Sequence, residues 1–154
     1  MNFEMEMEWL MSKQFESVTR LIPALEKDFY GDWNSSDEGD GSAERPFMMP
    51  HVSFSPTVYV LFSELNNVVK NHPEYTFKEY RDYLFMKGYI STKTCAFPIA
   101  ELSNVSADEL SIEDIFVMLF AIQRADRFCE GVLLHFFKDG TILKWLKTLE
   151  KMDV

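Results

Sequence analysis

Ser111-Ile112-Glu113-Asp114-Ile115-Phe116-Val117-Met118-Leu119-Phe120-Ala121-Ile122 decides the fold class of this chain. Ile112, Ile115, Phe116, Leu119, Phe120 and Ile122 recur at helical spacing and form a broad apolar face that other elements must cover. Ser111 to Asp114 has the form of a helix cap, a hydroxyl followed by acids in the first turn. Ser106-Ala107-Asp108-Glu109 has the same form, so the start is fixed to within about a turn.

Towards the C-terminus the pattern runs into Arg124-Ala125-Asp126-Arg127-Phe128-Cys129-Glu130-Gly131. Gly131 either interrupts this helix or joins it to the next. Val132 to Phe137 stay apolar, Asp139-Gly140 reads as a turn, and Ile142, Leu143, Leu146 and Leu149 mark a terminal helix.

Towards the N-terminus, Tyr89 to Phe97 has β-branched positions and reads as a short extended piece before Pro98. Thr76-Phe77-Lys78-Glu79 has capping-box form and opens a helix carrying Tyr80, Tyr83 and Leu84, closed by Gly88. Ser55-Pro56 opens another through Val58, Leu61, Phe62, Leu65, Val68 and Val69 to about Asn71. Leu10, Phe15, Val18, Ile22, Leu25 and Phe29 predict a first helix of about five turns, ending near Gly31. The intervening Asp32 to Pro50 reads as a long surface loop with a mobile acidic centre at residues 34–44. Its edges, with Trp33, Phe47, Met48 and Met49, are costly to leave in water and are expected to fold back. The prediction is one all-α domain over residues 1–154, with about five to six helices and the acidic loop after the first.

The totals fit that reading. The chain has 154 residues, 47% of them hydrophobic, enough to bury a core without staples. Glu4 to Glu8 alternates Glu and Met, unlike the basic start and apolar run of a secretory leader. No apolar run approaches the roughly 20 residues that span a bilayer. The expectation is a reducing cytoplasm, with Cys95 and Cys129 as free thiols. The net charge is −10, with 11 acids against 4 bases in residues 1–50. Such a chain repels phosphate backbones and disfavours nucleic acid as a partner.

The 124–131 cluster is the leading site candidate, because charges are not left unpaired in a core. Arg124, Arg127 and Phe128 share a helical face, and two guanidiniums can clamp a carboxylate or phosphate. Cys129 beside them is a candidate reactive thiol, with His135 or His51 as a conceivable base. The structural alternative pairs the arginines with Asp126, Glu130 or Asp114 and makes Cys129 core filler. His51, His72, His135, Cys95 and Cys129 show no metal-ligand spacing, so no metal or other cofactor is expected. Lys138, Lys144, Lys147 and Lys151 around Asp139-Gly140 match a helix-turn-helix in length, but also suit the C-terminal end of a helix. Trp33, Phe47, Phe54 and Tyr59, with Met48 and Met49, are either an adaptable binding patch or packed loop edges.

Gly31-Asp32-Trp33, Pro46-Phe47-Met48-Met49-Pro50, Val52 to Pro56, Arg124 to Gly131, Asp139-Gly140 and Ile142-Leu143-x-x-Leu146 together resemble DUF6508, a family of uncharacterised bacterial domains. The resemblance spans roughly residues 15–150 and is most specific in the Arg-Phe-Cys-acid-Gly core. Val132 departs from it, standing where many relatives carry histidine, so any chemistry needing that imidazole is not open to this chain. The resemblance implies that the cluster, Trp33 and the Pro50 region belong to one design.

The functional expectation is a non-enzymatic interaction or regulatory domain of a bacterium or its mobile elements. Arg124 and Arg127 would anchor a carboxylate or phosphate, alongside Cys129 and Glu130. Trp33 and Phe47 would give apolar contacts, and Asp37, Glu38 and Asp40 would meet a basic protein partner. The rival is a small enzyme or ligand-binding protein using Arg124, Arg127 and Cys129. Helix-turn-helix DNA binding stands third. The sequence sets no oligomeric state.

Overall fold

A computed structural model describes residues 13–34, 39, 41–46, 51–75, 79–92 and 99–153. The described residues are mainly helical, as expected, with one small sheet. In chain order they form α1 (Glu16–Thr19), α2 (Ile22–Glu26), β1 (Gly31–Asn34), β2 (His51–Phe54), α3 (Pro56–Asn71), α4 (Tyr80–Met86), α5 (Ile112–Asp126), α6 (Val132–Lys138) and α7 (Thr141–Met152).

The stretch that decides the fold class is the centre of the fold. α5 packs against α4, α6 and α7, and its residues from Asp114 to Leu119 are buried without a break. An amphipathic surface helix would show water on every second or third position; α5 does not. Of the two cap signatures only the second caps through its side chain, while Ser106 precedes a short turn without a side-chain cap bond. Ala107–Glu109 forms a single 3₁₀ turn, and Ser111 caps α5 itself. Phe116 on α5 lies 4.9 Å from Tyr75 in a near-parallel stack and 5.6 Å from Phe15 of the N-terminal segment. α7 buries Ile142, Trp145, Leu146 and Leu149 against the same core.

The predicted first helix is corrected. Within the described residues it is two short helices, and the break has a cause: Pro23 has no N–H to donate to Thr19 and its ring crowds that carbonyl. The start of α1 is held instead by the far end of the chain. Asp153 Oδ1 and Oδ2 accept from the backbone N–H groups of Gln14 and Phe15 at 3.0 and 2.7 Å.

The edges of the predicted loop are corrected too. Gly31 to Asn34 pairs antiparallel with His51 to Phe54, Trp33 opposite Val52. Asp32, Trp33 and Asn34 are therefore strand rather than loop. Ser55 then caps α3, as expected, accepting from Val58 N–H at 3.3 Å, and its hydroxyl donates to Asp28. α4 begins at Tyr80 after Glu79, while the capping-box residues Thr76 to Lys78 lie outside the described residues. Tyr89 to Thr92 forms no strand; Tyr89 N–H bonds the Leu84 carbonyl and closes α4. Residues 93–97 of the expected extended piece, including Cys95, lie outside the described residues, as do Asp37, Glu38, Asp40, Phe47, Met48 and Met49.

Candidate binding site

α5 carries Arg124 and Asp126 in its last turn, and Arg127 is its C-cap in right-handed helical geometry. The chain reverses through Phe128 to Glu130 and enters α6 at Gly131, where φ is +97°. That left-handed conformation is open to glycine and strained for other residues. A Cβ at Gly131 would also overlap the Trp33 indole, which lies against it from β1. Two glycine functions therefore coincide: a backbone turn and a close approach.

The charges of the cluster have separate fates. Asp126 turns inward, and its Oδ1 accepts from the N–H groups of Gly131 and Leu133, both at 3.1 Å. This carboxylate serves the N-terminus of α6, where helical N–H groups lack partners. Burial raises its pKa above the usual carboxylate range, against the backbone hydrogen bond from Leu133, with Glu130 adding to the rise. Glu130 reaches the sheet, its Oε1 accepting from Val52 N–H at 2.8 Å. That N–H points away from β1, so the glutamate covers a strand edge that would otherwise face water. The expected pairing of the arginines with Asp126, Glu130 or Asp114 is absent among the described residues.

Asp114 is engaged at the other end of α5, in a network the sequence reading missed. Its side chain is fully buried. It accepts from Tyr83 Oη at 2.6 Å, Tyr89 Oη at 2.8 Å and Ser111 N–H at 3.0 Å, with Lys87 Nζ at 3.4 Å. Burial alone would raise its pKa, but the tyrosine and backbone hydrogen bonds together win, and the pKa is lowered. The partners pay the complementary shift: Tyr83 is raised, and Tyr89 is pushed up to about 12, burial being the larger cause in both. Tyr83 and Tyr89 flanking a Gly88 turn, below an acidic helix start, were the available signal.

With the acids turned to structure, Arg124, Arg127, Phe128 and Cys129 face outward. All four are exposed, Phe128 to 81%. Among the described residues neither guanidinium has an ion-pair partner, and Arg124 lies over the Tyr80 ring, 5.9 Å from its centroid. A cation–π contact of this kind holds a guanidinium in place without neutralising it. Beside them a cavity of about 260 Å³ opens between α3, the Pro73–Tyr75 turn, α4 and α5. Val117 forms its buried end, Val69, Tyr75, Tyr80 and Phe120 are partly buried, and Arg124 and Arg127 stand at its exposed side. Phe128 and Arg124 also border an adjoining hollow with Glu79, Tyr80 and Arg81.

The remaining candidates are placed apart. Trp33 is half exposed and joins the cluster through Gly131. Cys129 is a free exposed thiol rather than core filler. His51 faces Asn34, His72 sits with Gln14 and Glu74, and His135 lies 3.6 Å from Asp139. No group of three or more His, Cys, Asp or Glu among the described residues could hold a metal ion. Of the terminal lysines, Lys147 pairs with Glu26 at 2.9 Å and Lys144 donates to the Ser103 carbonyl at 3.4 Å. Among the described residues no helix is long and apolar enough to cross a membrane.

A family model described as a family of unknown function, DUF6508, matches residues 91–153. The chain resembles that family over α5, the Arg124–Gly131 turn, α6 and α7. No curated protein and no solved structure matches the chain. The matched segment holds both guanidiniums and Glu130, while the Gly31-Asp32-Trp33 and Val52–Pro56 pieces lie outside it. Structure joins the two parts through the Trp33–Gly131 packing and the Val52–Glu130 hydrogen bond.

Proposed function

We propose that this chain is a non-enzymatic interaction module, working in a reducing bacterial cytoplasm, that docks a protein partner through the C-terminal end of α5. One observation carries the reading. Arg124 and Arg127 are exposed and lack an acidic partner among the described residues, although Asp114, Asp126 and Glu130 belong to the same helix or the turn after it. In a chain of net charge −10, exposed cations that form no ion pair among the described residues are available to an outside carboxylate or phosphate. Phe128 adds apolar area beside them, and exposed aromatics next to arginine are the composition of interaction hot spots. Asp37, Glu38 and Asp40 would meet basic groups of the same partner, with Trp33 and Phe47 as apolar contacts.

An enzyme reading built on Cys129 has less support. The two imidazoles weighed as a base are each engaged by a neighbour, His51 by Asn34 and His135 by Asp139.

Capture from host lysate by the wild-type chain and by Arg127→Ala, both checked for folding, tests the proposal. A protein held by the first and lost by the second places the contact on this end of α5. Equal capture by both removes Arg127 from it. Charge reversal of Asp37, Glu38 and Asp40 should weaken the same capture without changing Tm; undiminished capture would take the loop out of the interface.

A further inference from the structure

The cavity beside the two arginines has a composition the partner reading does not use. Its exposed side is cationic and its inner end apolar. Val117 is buried and Val69, Tyr75, Tyr80 and Phe120 are partly buried, while Arg124 and Arg127 are exposed. Two of the walls are packed against neighbours: Tyr75 is stacked on Phe116 and Tyr80 lies under Arg124. Side chains already immobilised lose little entropy when a ligand arrives. At about 260 Å³ the space is slightly smaller than most ligand pockets, which run from roughly 300 to 1,000 Å³. That suits a body of one aromatic ring or a short acyl chain.

We propose that this cavity binds a small amphipathic anion, an apolar or aromatic body with a carboxylate or phosphate head. The body lies against Tyr75, Tyr80, Phe120 and Val69, and the head meets Arg124 and Arg127. The gradient from apolar floor to guanidinium rim, with the amides of Asn66 and Gln123 also lining the space, matches such a ligand. A neutral apolar molecule leaves the guanidiniums unused, and a cation would be repelled by them. Inorganic phosphate would leave the aromatic walls uncovered. Glu74 and Glu113 act on Tyr75 by charge, but neither pairs with Arg124 or Arg127. Glu79 borders the neighbouring hollow with Arg124 and forms no ion pair with either arginine among the described residues. The inference shares the two arginines with the partner surface and rests on that reading for its charge, so a bound anion would compete with docking.

The test uses 4-phenylbutyrate and phenyl phosphate as probes on the full chain, with binding read by calorimetry and ligand-observed NMR. Controls are 4-phenyl-1-butanol, which keeps the body without the charge, and acetate or inorganic phosphate, which keep the charge without the body. The expected result is saturable binding of at least one aromatic anion, at least 10-fold tighter than any control. Tighter binding of phenyl phosphate assigns a phosphate head; tighter binding of 4-phenylbutyrate assigns a carboxylate. Arg124→Met and Arg127→Met, both at exposed positions, should each weaken it several-fold while Tm stays unchanged. Val69→Phe narrows the chamber and should abolish probe binding while leaving partner capture through the arginines intact. Binding of the alcohol as tight as the anions, or no saturable binding of either anion, overturns the proposal. So does full binding to Val69→Phe, which would move the probe to the surface and leave only the partner reading.

Discussion

The two ends of α5 treat their carboxylates in opposite ways. At the N-terminal end Asp114 collects two phenols, a backbone N–H and a lysine, and its pKa falls. At the C-terminal end Asp126 holds only backbone N–H groups near Glu130, and its pKa rises. The first arrangement closes a joint between α4 and α5. The second frees the neighbouring guanidiniums, because the acid that stood in reach of them is spent on capping α6. One helix therefore carries a sealed end that joins two elements and an open end whose guanidiniums face outward.

The sharpest way to break this comparison is at the sealed end. Asp114→Ala removes the buried acceptor shared by two partly buried phenols and should cost about 3 kcal/mol in chemical denaturation. Tyr83→Phe and Tyr89→Phe should each cost about 1 kcal/mol. If Asp114→Ala costs less than either tyrosine change, the network is not what joins α4 to α5. The pH dependence has a defined sign. A lowered folded pKa gives stability that is present above the unfolded value of about 4 and is lost as pH falls through the folded value. Acid titration of stability should therefore be shallower in the Asp114 variant than in the wild type.

The turn between the ends comes next. Gly131→Ala must hold φ near +97° with a side chain and displace the Trp33 ring, costing about 2 kcal/mol. Making the same change in a Trp33→Ala background separates the two causes. There only the backbone strain should remain, about 1 kcal/mol. An undiminished cost would mean that the indole moves aside freely and that backbone geometry alone requires the glycine.

The difference between the ends also explains what could be read from the residues alone. α3, α5 and α7 announced themselves through local signals: periodicity, Ser55-Pro56, and the Ser111 cap. Their centres needed no partner to be recognised. The sheet was hidden because β1 and β2 are four residues each, separated by a long segment, and pairing is a property of two strands together. Pro23 was a local signal that the first helix would break, and the apolar spacing on either side of it masked the proline. At the site, the cluster was legible as a concentration of charge next to a glycine. The way its charges divided was not. Glu130 meets Val52 across 78 residues and Asp126 meets Gly131 only where the chain reverses after α5, so the sequence could not say which charges would remain outside. Asp114 was legible as a cap acid, while the phenols it collects arrive from another helix and the turn that closes it.

The open end yields the smaller effects, and their size is the point. Asp126→Ala should cost about 1 kcal/mol by leaving the first N–H groups of α6 without an acceptor. Asp126→Asn should cost less, because an amide oxygen still accepts and no charge is buried. The pH sign reverses relative to Asp114. A raised folded pKa means the group's contribution is greatest below its unfolded value and is diminished as pH rises through the folded one. Asp126→Asn should thus gain on the wild type between pH 4 and pH 7, read by Tm at each pH. A constant difference across that range would show that the carboxylate is not desolvated in solution. Arg124→Ala and Arg127→Ala should move stability by no more than about 0.5 kcal/mol, as exposed changes away from packing do. Their whole effect should fall on binding. A loss of more than 1.5 kcal/mol in either would mean the guanidinium is a structural partner after all. The division of α5 into a sealed end and an open one would then fail at the residue on which the proposed function depends.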